Sequence, residues 1–449
     1  MAGPLVFVAT AAYSLYSQHL ILDCKDAANE RRTRRGDNYA ATYGEVAGAC
    51  LGPVGQVVTD VSVCLVQLGV CIVFFDFLAE SFEAGTGVDL PHYALVAGFL
   101  PFATALSLPR DMKAIAPYST AANAATLLAL GTVFACASQH VSTEGAAIAS
   151  EDGLPAALLA TVPLFVGSCL YSFEGQTLIL PVKAGMQNSE DFRRVMDAAF
   201  VVVAAVLLSV GEISYAAFGD IADVPITAEL QARGFDMKVV NMLLCGSVLL
   251  TFPLQLIPAV SIIEERLLGI PPPHTLGVQP GPFGWLRAQV ASIVGRDPEE
   301  AQAAAEKRRT AARVATVAAL AGVATAVPNI GLAVALVGAG PGSVVALIMP
   351  PLMHFVAIDR SPVQRVGHVL LIAASSVFCL YGTFTNVEAL IGEVGKPKSP
   401  LETIKEEIGP SEIREAICPP EFVVDENAPQ PLLEDAEADF EVLQELGLY

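Results

Sequence analysis

An all-α protein that crosses a membrane many times is the fold class this sequence predicts, on three observations. Of its 449 residues, 53% are hydrophobic and only 16% are charged, whereas soluble domains carry about 25% charged residues. The mean hydropathy is +0.55. The apolar residues gather into ten runs, near 4–22, 53–78, 93–108, 119–139, 155–181, 195–218, 237–263, 312–332, 334–357 and 366–386. Runs of this length suit membrane helices, because a helix needs about 20 residues to cross the hydrocarbon core and a barrel strand only about ten.

The elements follow in chain order. The first run opens with no cationic segment ahead of it, so it does not read as a secretory signal peptide. Between the first and second runs, 23–52 carries five Lys/Arg, including RRTRR at 31–35. Basic residues then alternate. Loops 109–118, 182–194, 264–313 and 358–365 hold two, three, seven and two; 79–92, 140–154 and the turn near 333 hold none, and 219–238 holds Arg233 and Lys238. This is a positive-inside pattern, and it places 23–52 and 264–313 on the cytoplasmic side. The first run then starts outside, so the pattern predicts one more helix ahead of Met1. Loop 264–313 has a proline-rich part (PPP at 271–273) and then a helix start, with Asp297 as N-cap, Pro298 in the first helical position and Glu299 and Glu300 in the first turn. Residues 391–449 form an acidic, proline-interrupted tail that reads as disordered with short helices.

The fifth run contains GSCLYSFEGQTLILPVKAG at 167–185. A carboxylate in mid-bilayer costs on the order of 2.5–3.5 kcal/mol on insertion scales, and each glycine weakens a helix by about 1 kcal/mol relative to alanine. Glu174 between Gly167 and Gly175 therefore predicts a broken helix with a function. Unwound backbone at membrane depth survives only where it lines a cavity or is buried in protein. There its N–H and C=O groups become ligands for a solute. The bland alternative is a kinked helix whose glutamate bonds a neighbouring hydroxyl.

The same stretch resembles a known family. YSFEGQTLILPVKAGMQNSEDF (171–192) is similar to a signature of the transmembrane amino acid transporter family, the amino acid/auxin permeases, nearest to its proton-coupled and vacuolar branch. TYGEVAGACLGPVG (42–55), LVQLGVCIVFF (65–75), LPRDMKAIAPYS (108–119), YAAFGD (215–220), LTFPLQLIPAVSIIE (250–264) and LVGAGPGSVVALIMPPLMH (336–354) resemble further family segments in the same order. The resemblance implies an inverted-repeat (LeuT-like, APC-type) helix bundle of eleven helices, of which about ten are present. It implies an incomplete first repeat at 4–139, a second at 155–357 and an extra helix at 366–386, all within a transporter domain at 1–390. The implied function is secondary active transport of small amino acids, coupled to a proton or to sodium, in a vacuolar, lysosomal or plasma membrane. The rival readings are a nutrient sensor or scaffold that no longer transports, and a truncated chain.

The implied substrate contacts are the backbone of Phe173, Glu174 and Gly175, with Tyr171, Phe173 and Gln67 beside them. Tyr171 and Phe173 stack over an aliphatic substrate or simply pack. Gln67, mid-run in VQLGV, either bonds substrate or braces the broken helix. Glu174 would carry the coupling proton, and Thr251, ahead of Phe252-Pro253, is a second coupling-ion candidate beside the plainer reading of a proline kink. Glu212 reads as a solvated carboxylate or a second proton site, while Asp60 and Asp76 sit near run ends, where charge costs little. His19 and His354 receive no role. GAGPG at 338–342 follows no strand and is not a phosphate loop. No cofactor, metal, nucleic-acid or enzyme motif is present.

Overall fold

The computed structural model describes residues 2–35, 42–88, 90–109, 112–146, 162–219, 226–269, 298–327, 329–358 and 361–393. Regular structure among them is helical throughout: α1 Ala2–Arg35, α2 Tyr43–Thr86, α3 His92–Ser107, α4 Met112–Glu144, α5 Val162–Ser172, α6 Ile179–Gly185, α7 Phe192–Phe218, α8 Ile226–Ala232, α9 Lys238–Arg266, α10 Pro298–Ala324, α11 Ile330–Val337, α12 Met349–Ala357 and α13 Pro362–Glu393. Two wide π-type turns, Gly338–Gly342 and Val344–Ile348, join α11 to α12. Among the described residues, seven helical stretches are long and apolar enough to cross a membrane, and α3 and α5 are apolar but shorter. The protein is an all-α, multi-pass membrane protein.

Helices outrun the apolar runs that predict them, because hydropathy marks only the length facing lipid. α1 continues from its apolar half through KDAANERRTRR to Arg35, so much of the expected loop 23–52 is helix. α10 starts at Pro298, as the DPEE pattern predicts, and ends at Ala324; Asp297, the proline-rich part of the loop and the tail from 394 lie outside the described residues. Large apolar side chains point outward along α7 (Val201, Val202, Val203) and α13 (Val377, Leu380, Phe384). In water such faces would be a liability; in lipid they are the solvated surface.

α2 reverses direction. Gly52 has φ +79° and precedes Pro53, a pair that only a left-handed glycine and an N–H-lacking proline accommodate. The preceding arm, 43–51, begins with a capping box: Thr42 Oγ1 accepts from Glu45 N–H at 3.2 Å, and Glu45 accepts from Thr42 N–H at 3.1 Å. A Cβ on Gly44 would lie 1.8 Å from Asp60 Oδ1, and one on Gly48 2.9 Å from the Gln56 side chain. In a straight helix residues 44 and 60 would be about 24 Å apart, so the arm folds back along α2.

Three larger apolar clusters, and a smaller one of Leu170, Ala346 and Leu347, hold the helices among the described residues. One joins α1, the α2 arm, α6 and the wide turns through Ile21, Leu22, Tyr43, Val46, Leu180 and Met353. A second packs α2, α3, α9 and α10, with Phe75 edge-on to Phe252 at 5.1 Å. A third joins α4, α7, α8 and α9. Lipid tails are as apolar as these side chains, so close packing rather than water exclusion drives such contacts.

Charges were expected at helix ends, yet three lie deep. Asp76 is only 1% exposed and bonds His92, the first residue of α3, at 3.0 Å; α2 runs ten residues beyond it. Asp60 accepts from Arg266 at 2.8 Å. Glu264 on α9 accepts from Arg313 on α10 at 2.8 Å, with Arg309 3.6 Å away. Arg313 also donates to the carbonyls of Ser107 and Pro109 at 3.1 and 3.2 Å, binding the end of α3 to the same point.

Removing one partner of a buried ion pair strands the other charge, at a cost of about 3–5 kcal/mol. Arg313→Ala should therefore lower the thermal midpoint of the detergent-purified protein sharply, and Lys307→Ala, on the exposed face of the same helix, should not. Equal midpoints for the two variants would contradict the clamp.

Candidate functional site at the broken helix

The fifth run breaks where its composition predicts. Phe173 N–H still reaches Cys169 O at 3.1 Å, the last full helical bond of α5. Glu174 N–H turns back to Tyr171 O at 3.1 Å, and a new turn opens with Leu178 N–H on Gly175 O at 3.0 Å. α6 then begins at Ile179. Residues 173–178 are thus outside both helices.

The two glycines flanking Glu174 do different work. A Cβ on Gly167 would stand 2.5 Å from Ala335 O, and one on Gly338 would stand 1.9 Å from Gly167 O. Gly167 and Gly338 therefore let α5 and the first wide turn touch backbone to backbone. Gly69 plays a similar part on α2, where a Cβ would meet Val337 at 2.5 Å. A Cβ on Gly175 meets nothing within 4 Å, so the break borders open space.

The wide turns leave carbonyls outside a regular ladder, and side chains take them. Tyr43 OH donates to Val345 O and Tyr13 OH to Leu347 O, each at 2.8 Å, and Ser17 donates to Ala346 O between them. Asn386 on α13 donates to Ala335 O at 3.3 Å and Cys379 to Gly340 O at 3.5 Å. GAGPG is thus a packing and bending device.

At the break, a polar group assembles around Glu174. Gln67, fully buried on α2, donates through Nε2 to Thr177 Oγ1 and, at 3.4 Å, to Glu174 Oε1. Thr177 donates to the same Oε1 at 3.1 Å. Gly175 N–H donates to Gln176 Oε1 at 3.1 Å. Among the described residues, four buried polar atoms here have no hydrogen-bond partner: Glu174 Oε2, Gln67 Oε1, Gln176 Nε2 and the Tyr171 hydroxyl. Buried polar atoms are nearly always paired, so a group of orphans in one place calls for a chemical explanation.

The structure therefore brings Gln67, Tyr171, Glu174 and Gly175 to one locus. Phe173 takes the packing alternative: it is 4% exposed, 5.2 Å from the Phe200 ring and 5.0 Å from the Phe7 ring. Thr251 donates to Ser247 O of its own helix at 2.8 Å, ahead of Pro253, and among the described residues it makes no hydrogen bond to the Glu174 group. Glu212 is exposed on α7. Gln176 and Thr177 were not foreseen. A signal existed, since Thr177 stands three residues after Glu174, a spacing at which side chains meet across a turn.

The described residues thus form a multi-pass helical membrane protein with a polar, half-satisfied helix break. The model of the family described as transmembrane amino acid transporter protein matches residues 1–390, and the chain belongs to that family. Curated relatives include amino acid transporter ANT1 of Arabidopsis thaliana, 22% identical over 86% of this chain and 85% of the relative. Amino acid transporter AVT3C of the same plant is 23% identical over 79% of this chain and 77% of its own length. Vacuolar amino acid transporter 3 of Saccharomyces cerevisiae is 28% identical over half of this chain, which there spans a third of the yeast protein.

The hydrogen bonds among Gln67, Thr177 and Glu174 form one network, and contacting residues couple by about 0.5–3 kcal/mol. Gln67→Leu and Thr177→Val should accordingly be non-additive in stability, measured by thermal unfolding of the single and double variants. Strict additivity would show that the three side chains do not act together.

Proposed function

We propose that the protein is a secondary active transporter of small amino acids, with a proton as the coupling ion and Glu174 as its carrier. The observation that carries this reading is the set of orphaned polar atoms at the break. Glu174 Oε2 and Gln67 Oε1 are acceptors suited to a substrate ammonium. Gln176 Nε2 and the Tyr171 hydroxyl are donors suited to a carboxylate. The backbone of Phe173, Glu174 and Gly175 supplies further groups, as unwound segments in transporters do, and Gly175 keeps that approach open. Substrate would complete a network that the protein leaves half made.

The proton has a place as well. Oε1 of Glu174 is occupied by Thr177 and Gln67, whereas Oε2 is unbonded. A proton on Oε2 leaves the existing bonds intact and cancels a charge that the moving segment would otherwise carry through a low-dielectric span. Sodium, with Thr251 among its ligands, is the less favoured coupling ion, because the Thr251 hydroxyl is turned to its own helix. We further infer an inverted repeat, with 4–139 and 155–357 as its halves and 366–386 as an added helix, and the ends near 23–52 and 264–313 facing the cytoplasm. The likeness to a vacuolar amino acid transporter of yeast supports a vacuolar membrane over the plasma membrane.

The test is uptake by the full chain in proteoliposomes. Glu174→Gln keeps the shape and removes the titratable group, so uptake should fall by about tenfold or more and lose its pH dependence, while the amount of folded protein stays constant. Unchanged, pH-dependent uptake would leave Glu174 a structural hydrogen-bonder. No uptake by any form would favour a sensor or scaffold.

A further inference from the structure

α1 runs beside the broken helix, and its contacts fix which of its faces looks there. Tyr13 and Ser17 donate to the carbonyls of Leu347 and Ala346. His19, Asp23 and Asp26 reach Asp197, Arg193 and Lys183 at 2.8, 2.8 and 3.4 Å. With 3.6 residues per turn, these two sets fall on different sides of α1. Phe7 lies in the sector between them, and its ring stands 5.0 Å from that of Phe173, where the break begins. Ser14 follows seven residues later on the same face, since a helix drifts only about 20° over seven residues. Ile21, seven residues further, shares an apolar cluster with Ile179 and Leu180, where α6 begins. The break lies between those two levels, and so does Ser14.

Ser14 is 0% exposed, and among the described residues its Oγ has no hydrogen-bond partner. Thr10, Ser168 and Ser172 each donate to the carbonyl four residues back in their own helix; Ser14 does not. A buried hydroxyl left unmade is costly, so Ser14 adds to the break an unpaired group from a third helix.

Its chemistry differs from that of the other four. Those belong to α2 and to the broken helix, and they suit the ammonium and carboxylate ends of an amino acid. A substrate held by both charged ends turns its third substituent away from them. α1 offers a wall there, with Phe7, Ala11 and Ser14 at helical spacing. Ala11 is small and buried, which suits a short side chain, and the Ser14 hydroxyl both donates and accepts.

We propose that Ser14 is a specificity-determining residue of the site, pairing with the side-chain hydroxyl of a small substrate such as serine. The assignment rests on the amino acid transporter reading above. With alanine bound, the Ser14 hydroxyl would stay buried and unpaired, and a site built to bond a substrate hydroxyl rejects the analogue that lacks it.

The test is binding to the purified full chain, by competition of unlabelled serine and alanine against radiolabelled serine. The protein should bind serine about fivefold more tightly than alanine, the worth of one neutral hydrogen bond. Ser14→Ala should bring the two affinities together by weakening serine. Ser14→Thr keeps a hydroxyl and should keep the preference. Thermal midpoints report the folding of both variants; if Ser14→Ala does not fold, the unaltered protein and Ser14→Thr decide. Equal affinity for serine and alanine in the unaltered protein, or a preference that survives in Ser14→Ala, overturns the assignment and leaves the transporter reading standing. Equal loss of both ligands in Ser14→Ala at an unchanged midpoint overturns the side-chain pairing. Binding of no amino acid by any form refutes the proposed function, and this assignment with it.

Discussion

Backbone that leaves a helix inside a bilayer has to find its hydrogen bonds within the protein, because lipid offers none. Most of the tertiary contacts that distinguish this chain from a plain bundle answer that demand. The wide turns at 338–348 release carbonyls, and Tyr13, Ser17, Tyr43 and Cys379 come from three other helices to take them. At the break at 173–178 the polar side chains are only partly paired. Gln67 and Thr177 satisfy one oxygen of Glu174, while the other and three neighbouring polar atoms stay unpaired.

That contrast separates architecture from function. An irregular segment whose carbonyls are taken by other helices serves as a platform; one whose polar side chains are partly paired stays poised, since an incomplete polar network in low dielectric is costly until something completes it. The platform and the poised segment touch directly. Gly167 and Gly338 allow the two backbones to meet with no side chain between them, so displacement of one is felt by the other. Close approach through small residues is also the main source of cohesion open to helices in lipid, where apolar burial gains little.

The charged residues obey the same physics at a different depth. Each deep carboxylate outside the break has a cation or imidazole in contact: Asp60 with Arg266, Asp76 with His92, Glu264 with Arg313. Such pairs hold helix ends in register, and Arg313 does so for α3, α9 and α10 at once. Glu174 is the exception. Its partners among the described residues, Gln67 and Thr177, are neutral.

Much of this was legible in the chain itself. The all-α membrane class follows from composition and run length, because lipid permits few alternatives. The break near Glu174 follows from a carboxylate and a nearby glycine where a spanning helix should be smooth. The start of α10 at Pro298 follows from local capping chemistry. Other features depended on residues distant in sequence and had no local signal. The fold-back of α2 shows in the contacts of Gly44 with Asp60 and of Gly48 with Gln56, and the burial of Asp76 in its contact with His92 of α3. The role of Gly167 was misplaced by sequence, which set it with Gly175 as a helix weakener; packing against Ala335 makes it a contact glycine. Phe173 read as a substrate ring or a packing ring, and only the fold shows that Phe7 and Phe200 pack against it. Sequence by itself determined where the chain must be apolar and where it must break, since those are costs each segment bears alone. Only the tertiary structure decided which atoms at the break are already paired and which are left unpaired, because hydrogen-bond satisfaction is shared among helices and belongs to none of them singly.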